Sequence, residues 1–188
     1  GVNESISSYF DPEGSKNYLM FRQHSVQTLA ATDVRKELFT QENASSNDEP
    51  MGHFLLKFRQ KIDGNNFTGN VRIIRLTEVK FIKWEAMAKS GQGAAALAEL
   101  NAFSAERGGK SYTGDALTAI LAEKRIEFIG EGLRFFDLKR NNLPIVKTTN
   151  VRGGVYNVPT DSKLFVFPIP SSSLNLNKLI TQYPGWGN

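Results

Sequence analysis

Cysteine is absent from this sequence, which excludes a disulfide framework, a thiolate metal site and a cysteine nucleophile. The compartment stays open, because an oxidising one permits disulfides without requiring them. Histidine is nearly absent as well. His24 and His53 are far apart, and neither sits in an H-E-x-x-H or other metal-ligand spacing, so no metal centre is expected. No G-x-S-x-G elbow is present, and a serine nucleophile would lack a plausible histidine base. Long apolar runs are missing too: nothing approaches the roughly 18 residues of a membrane span, and Gly1 to Phe10 is mostly polar, so the chain as given is expected to be soluble. Charge of one sign is not concentrated. The 23 Lys and Arg exceed the 19 Asp and Glu by four and are scattered, where a nucleic-acid partner calls for a stripe or block.

What is present is ordinary for one globular domain: 188 residues, 40% hydrophobic and 22% charged. Residues 1 to 70 read as an irregular, loop-rich segment, with turn clusters at Asp11 to Asn17, Asn43 to Pro50 and Asp63 to Asn70. Phe54 to Phe58 is the best strand candidate there, and Asp33 to Thr40 fits one helical turn or an extended piece. From Val71 the chain turns helical. Ile74, Val79, Ile82 and Met87, with Phe81 and Ala86 nearby, mark a broad apolar face up to Lys89, and Ser90-Gly91-Gln92-Gly93 stops the run. Ala94 to Glu106 is a second helix, with Leu97, Leu100 and Phe103 at spacings of three and Gly108-Gly109 as its end. Two helices around a short glycine loop make an antiparallel hairpin. A third helix is expected from Asp115 to about Arg140, capped by Thr113, with two apolar stripes: Ile126, Ile129, Leu133 and Phe136 on one, Leu117, Leu121, Phe128 and Phe135 on the other. After Asn141 the chain reads as loop, with an extended segment from Leu164 to Ile169 and a broken tail. The fold class is mainly α: helical hairpins with long irregular loops and an extended carboxy-terminal segment.

Three constellations bear on function. Gly91-Gln92-Gly93-Ala94-Ala95-Ala96 matches G-x-G-x-x-A, but dinucleotide binding needs a strand before the first glycine, and the residues before it are helical in pattern. No cofactor is expected. On the third helix Glu123, Glu127, Glu131, Arg134 and Asp137 follow at spacings of four, four, three and three, a polar strip between the apolar stripes. Paired carboxylates raise glycoside hydrolysis, yet that chemistry needs carboxyl groups on opposite faces of a sugar, and one helix face points them the same way. A structural ion network bridged by Arg134 is the better reading. Aromatic rings in loop-like segments, Tyr9, Phe10, Tyr18, Tyr156 and Trp186, are the candidates for stacking on a ligand.

Three strings together resemble the SusD/RagB family. Arg75-Leu76-Thr77-Glu78-Val79-Lys80-Phe81-Ile82-Lys83-Trp84-Glu85-Ala86 is similar to its R-L-x-E-V-x-L-x-x-A-E-A helix. Glu123-Lys124-Arg125-Ile126-Glu127-Phe128, leading to Glu131-Gly132-Leu133-Arg134-Phe135-Phe136-Asp137-Leu138-Lys139-Arg140, is similar to its E-R-R-x-E-x-x-x-E-G-x-R-x-x-D-L-x-R signature. Phe167-Pro168-Ile169-Pro170 and Gln182-Tyr183-Pro184-Gly185-Trp186 resemble its closing P-I-P and Q-N-P-G-[YW] segments, with Trp84, Ser173 and Tyr183 as departures. The resemblance covers residues 71 to 188. It implies tetratricopeptide-like hairpins and a non-enzymatic lipoprotein of the bacterial outer-membrane surface, which captures oligosaccharide or peptide and passes it to a SusC-like TonB-dependent transporter. Family members are longer and carry a lipidated cysteine near the mature amino terminus, so the resemblance implies a fragment whose membrane anchor and part of whose ligand surface lie elsewhere. The rival readings are a helical-repeat scaffold binding only proteins, and a carbohydrate-active enzyme.

Overall fold

A computed structural model describes residues 20–22, 26, 28–40, 52–59, 73–151 and 154–187. The chain forms two compact units, Gly1–Gly130 and Glu131–Asn188.

In the first unit strands β1 (Met20–Arg22) and β2 (Gly52–Phe54) pair antiparallel, Met20 opposite Phe54 and Arg22 opposite Gly52. The strand expected over Phe54 to Phe58 is therefore displaced: β2 ends at Phe54, Leu55 bridges Phe39, and Leu56–Phe58 is a turn of 3-10 helix. Another 3-10 turn, Val34–Leu38, follows Asp33, whose carboxylate caps it by accepting from the Arg35 amide. Leu29, Phe39 and Leu55 form a small core under these pieces, with Phe58, Ile126 and Ile129 against it.

Three helices make the rest of the unit: α1 (Leu76–Lys89), α2 (Gly93–Ala105) and α3 (Ala116–Glu127). α1 and α2 are antiparallel, with Phe81 opposite Phe103 and Lys83 and Trp84 opposite Glu99, and both pack on α3. Phe81, Trp84, Phe103 and Phe128 meet edge to face at centroid distances of 5.0 to 5.4 Å, a geometry that matches each ring's positive edge to a negative face. Of the broad apolar face expected on α1, Phe81 is buried and most of the rest is turned outward. Ile74, Val79 and Ile82 are exposed, and the buried residues are Phe81, Trp84 and Glu85. The helix also begins at Leu76, not Val71, which lies outside the described residues.

Gly108 ends the α2 region in the left-handed conformation, φ +64°, and a β-carbon there would lie 2.2 Å from the Thr32 carbonyl oxygen. That contact joins the Asp33 turn to the hairpin: the Thr32 hydroxyl donates to the Gly108 carbonyl at 2.6 Å, and the Val34 amide to Arg107 at 3.0 Å. Gly108→Ala is expected to cost about 2 kcal/mol or more, from left-handed strain plus overpacking, read as a lower urea midpoint with an unchanged slope.

Two expectations about the third helix are corrected. Asp115, not Thr113, is the cap, accepting from the Thr118 amide at 2.7 Å, and hydrogen bonds from the Thr118 side chain and then its amide lower its pKa. The helix stops at Glu127, because Gly130 (φ +80°) and Gly132 (φ +78°) are left-handed. A β-carbon at Gly130 would also meet a Leu55 methyl at 2.6 Å, so the break is a place of close packing.

In the second unit α4 (Arg134–Arg140) precedes a β-hairpin, β3 (Ile145–Val151) and β4 (Gly154–Val158), with Ile145 opposite Val158 and Lys147 opposite Tyr156. This segment was expected to be loop. Lys163–Phe165 forms a 3-10 turn that overlaps the start of the segment expected to be extended, Leu164 to Ile169, residues 167–170 run outside helix and strand, and α5 (Ser171–Leu176) follows. Phe135 stacks on Phe165 at 5.7 Å, and the Lys139 ammonium donates to the Phe165 carbonyl. No described helix is long and apolar enough to cross a membrane.

Candidate functional site

The acidic residues of α3 sit in the interior of the first unit. Glu123 is 0% and Glu127 8% exposed, one turn apart on the face toward the Asp33 turn and α2. Arg35 reaches both, with Nη1 donating to Glu123 at 2.6 Å and to Glu127 at 3.2 Å. Its other edge forks onto Asp33, Nε to Oδ1 at 2.9 Å and Nη2 to Oδ2 at 2.7 Å, the bidentate geometry that suits a planar guanidinium. Arg75 and Arg107 close the network on Glu127 at 2.7 and 3.2 Å, and their guanidinium planes lie 4.2 and 3.5 Å over Phe128 and Phe103. The Tyr112 hydroxyl donates to the second oxygen of Glu123 at 2.7 Å. Among the described residues three arginines thus face three carboxylates, a pairing that offsets charge in a place where an unpaired ion would be costly.

Burial alone would raise the Asp33 carboxyl, but hydrogen bonds from Arg35 reverse this and hold it below its ordinary value. Burial and the neighbouring Glu123 push the Tyr112 hydroxyl far up, so it stays a donor. For Arg35, burial works against the charge and is outweighed by Asp33 and Glu123, which keep the guanidinium ionised. Glu123 and Glu127 are buried with their oxygens committed to cations and a phenol, an arrangement that fixes segments distant in sequence and offers no carboxylate to a substrate.

An arginine that the sequence did not single out bridges Glu123 and Glu127: Arg35, 88 and 92 residues from its partners. Since α3 ends at Glu127, Glu131, Arg134 and Asp137 do not continue its strip; Asp137 pairs with Arg140 at 2.7 Å.

The second unit holds two clefts. One of about 540 Å³ is lined by Asn175, Lys178, Thr181, Tyr183 and Trp186 among others, and a smaller one of about 240 Å³ shares Tyr183 and adds Lys139, Asp161 and Ser162. The closing sequence string supplies Gln182, Tyr183, Pro184 and Trp186 to the larger cleft and Tyr183 to the smaller. The Gln182 amide clamps Ile169, accepting from its N–H and donating to its carbonyl, both at 2.9 Å, so the tail is bound to the Pro168-Ile169-Pro170 segment. The Trp186 indole donates to the Val166 carbonyl at 3.0 Å, and the Lys163 ammonium lies 4.7 Å over its ring while donating to Gly185. Trp186 therefore lines the larger cleft as a pinned ring with one face covered.

Of the other ring candidates, Tyr9, Phe10 and Tyr18 lie outside the described residues, and the Tyr156 backbone runs in β4. Tyr183 was missed. It is 44% exposed at the junction of both clefts, and its one signal in the sequence was that it departs from the closing pattern where asparagine is usual.

Comparison with known proteins agrees with this architecture. A SusD superfamily protein from Bacteroides vulgatus ATCC 8482 superposes with TM-score 0.71 at 31% identity, covering 84% of this chain and 36% of the other. A putative sugar binding protein from the same organism superposes with TM-score 0.78 at 22% identity, over 98% and 43% of the two chains. A SusD-like carbohydrate binding protein, also from B. vulgatus, gives TM-score 0.70 at 21% identity over 91% and 44%. The chain spans less than half the length of these relatives. No curated protein matches it. The sequence profile of the SusD family matches residues 9–186, so it takes in the Arg75 helix, the Glu123 and Glu127 anchors and the clamped tail alike, and the chain belongs to that family.

Proposed function

We propose that this chain is part of a non-enzymatic nutrient-binding protein of the outer-membrane surface, which captures an oligosaccharide and passes it to a SusC-like TonB-dependent transporter. The observation that carries the binding reading is the chemistry of the larger cleft: Tyr183 and Trp186 supply rings, and Asn175 and Thr181 supply uncharged hydrogen-bonding groups. Rings beside neutral polar groups, with Lys178 as the one cation of the lining, suit a polyhydroxylated ligand, whose C–H faces stack while its hydroxyls bond. Two of the solved relatives are described as sugar or carbohydrate binding, which supports the same ligand class. The α3 carboxylates lend no support to hydrolysis, being paired within the fold.

The test is calorimetric titration with a panel of neutral oligosaccharides and short peptides, on this chain and on the complete polypeptide. Oligosaccharide binding is expected, weaker in this chain. Tyr183→Ala should weaken it about tenfold, the value of one stacking contact, while Tyr183→Phe keeps most of the affinity. Unchanged affinity in Tyr183→Ala removes the cleft from the site; binding of peptides only removes the saccharide assignment.

A further inference from the structure

The chain's excess of four positive charges falls entirely on the unit that holds the clefts. Residues 131 to 188 carry seven Lys and Arg against three Asp and Glu, which leaves the first unit balanced at 16 of each. The imbalance is sharpest along the wall of the larger cleft. No acidic side chain follows Asp161 in the sequence, and the residues after it supply the whole of that lining. Lys178 is its one charged member. A second ammonium, that of Lys163, lies 4.7 Å over the ring of Trp186 and adds its charge beside the same wall.

These cations differ in what already holds them. Lys163 donates to the Gly185 carbonyl. In the smaller cleft Lys139 donates to the Phe165 carbonyl, and Asp161 in the same lining offsets its charge. Lys178 is exposed and makes no ion pair or hydrogen bond with any described residue. A lysine ammonium is a point charge on a flexible stem, so it can meet an anion while the rings beside it hold a sugar face. Matched charge of this kind sets which partner is chosen more than how tightly partners bind in general. We propose, resting on the reading of this cleft as a saccharide site, that its ligand is an acidic saccharide, with a carboxylate or sulfate group seated beside Lys178. Its uncharged part stacks on Tyr183 and Trp186, and the anion selects among saccharides of similar shape.

The test titrates the complete polypeptide calorimetrically with malto-, cello- and galactotetraose. Each is run beside its counterpart with primary hydroxyls oxidised to carboxylates and its counterpart sulfated at the same hydroxyls. At about 20 mM salt an acidic form is expected to bind about fivefold tighter than its neutral parent, and at about 0.5 M salt less than about twofold, because screening weakens an exposed charge pair. The acidic form that shows the preference identifies the anion as carboxylate or sulfate. Lys178→Met should abolish the preference and leave the neutral tetraose within about twofold, while Lys178→Arg keeps the preference; an exposed position tolerates both changes. Equal affinities for neutral and acidic forms, or a preference undiminished in Lys178→Met, overturn the proposal and leave the saccharide reading standing. Binding of no tetraose, neutral or acidic, overturns both.

Discussion

Arg35→Met is expected to lower the stability of the chain by about 3 to 5 kcal/mol, because it leaves buried carboxylates without their shared cation. The methionine replaces the aliphatic stem and most of the volume, so little of the loss is packing. Asp33 loses both edges of its fork, and Glu123 keeps only the Tyr112 hydroxyl among its described partners. For a chain of this size the melting temperature should fall by roughly 6 to 20 °C. Glu123→Gln should cost less, about 1 to 3 kcal/mol, since the amide still accepts from Arg35 or Tyr112. A second readout separates the network from a generic core defect. The Asp33 carboxyl is held below its ordinary 3.8, so its contribution is fully present above about pH 4 and is lost as pH falls through the lower folded value. Arg35→Met should flatten that acid limb of the stability curve, and a limb as steep as the parent's would contradict the pairing.

Phe81→Ala should cost about 3 to 5 kcal/mol, comparable in size and different in cause. The ring is fully buried and meets Trp84, Phe103 and Phe128 edge to face, so its removal leaves a cavity among three helices as well as losing the transfer term. Phe81→Leu keeps much of the volume and should cost less than about 1.5 kcal/mol. Urea melts check both. Because Phe81 carries no charge and its described ring contacts are to Trp84, Phe103 and Phe128, Phe81→Ala should leave the acid limb intact, and that contrast with Arg35→Met is part of the prediction.

The hairpin of α1 and α2 was legible because everything that defines it is local: periodic apolar residues, an alanine run, and glycines where the chain must turn. The break after Glu127 was hidden by a pattern that continues through it, Ile126, Ile129, Leu133 and Phe136 keeping helical spacing. Two glycines within three residues were the contrary signal, each weakening a helix by about 1 kcal/mol. The hairpin of β3 and β4 was readable from Ile145-Val146-Lys147-Thr148-Thr149, rich in β-branched residues and followed by Gly153-Gly154, but the breakers were weighted above the strand formers. Arg35 could not be read from sequence at all. Its partners lie 88 and 92 residues away, and no local period reports a pair at that distance. The buried face of α1 was legible only in part because the helix has two apolar sides, and the aromatic side won the contact with α2 and α3. As for the candidate site, the closing string drew attention to Trp186, but its clamping of Val166, and the opening of Tyr183 onto two clefts, depend on contacts across a dozen residues and more.

One spectrum tests the binding account most directly: amide proton–nitrogen correlations of the labelled chain, titrated with the neutral oligosaccharide that gives the most heat in calorimetry, with the sugar followed in the same tube. Shift changes concentrated between Asn175 and Trp186, with Glu123 and Glu127 amides unmoved and the sugar intact after a day, are what the account predicts. Changes centred on Glu123 and Glu127, or released reducing ends, would contradict it.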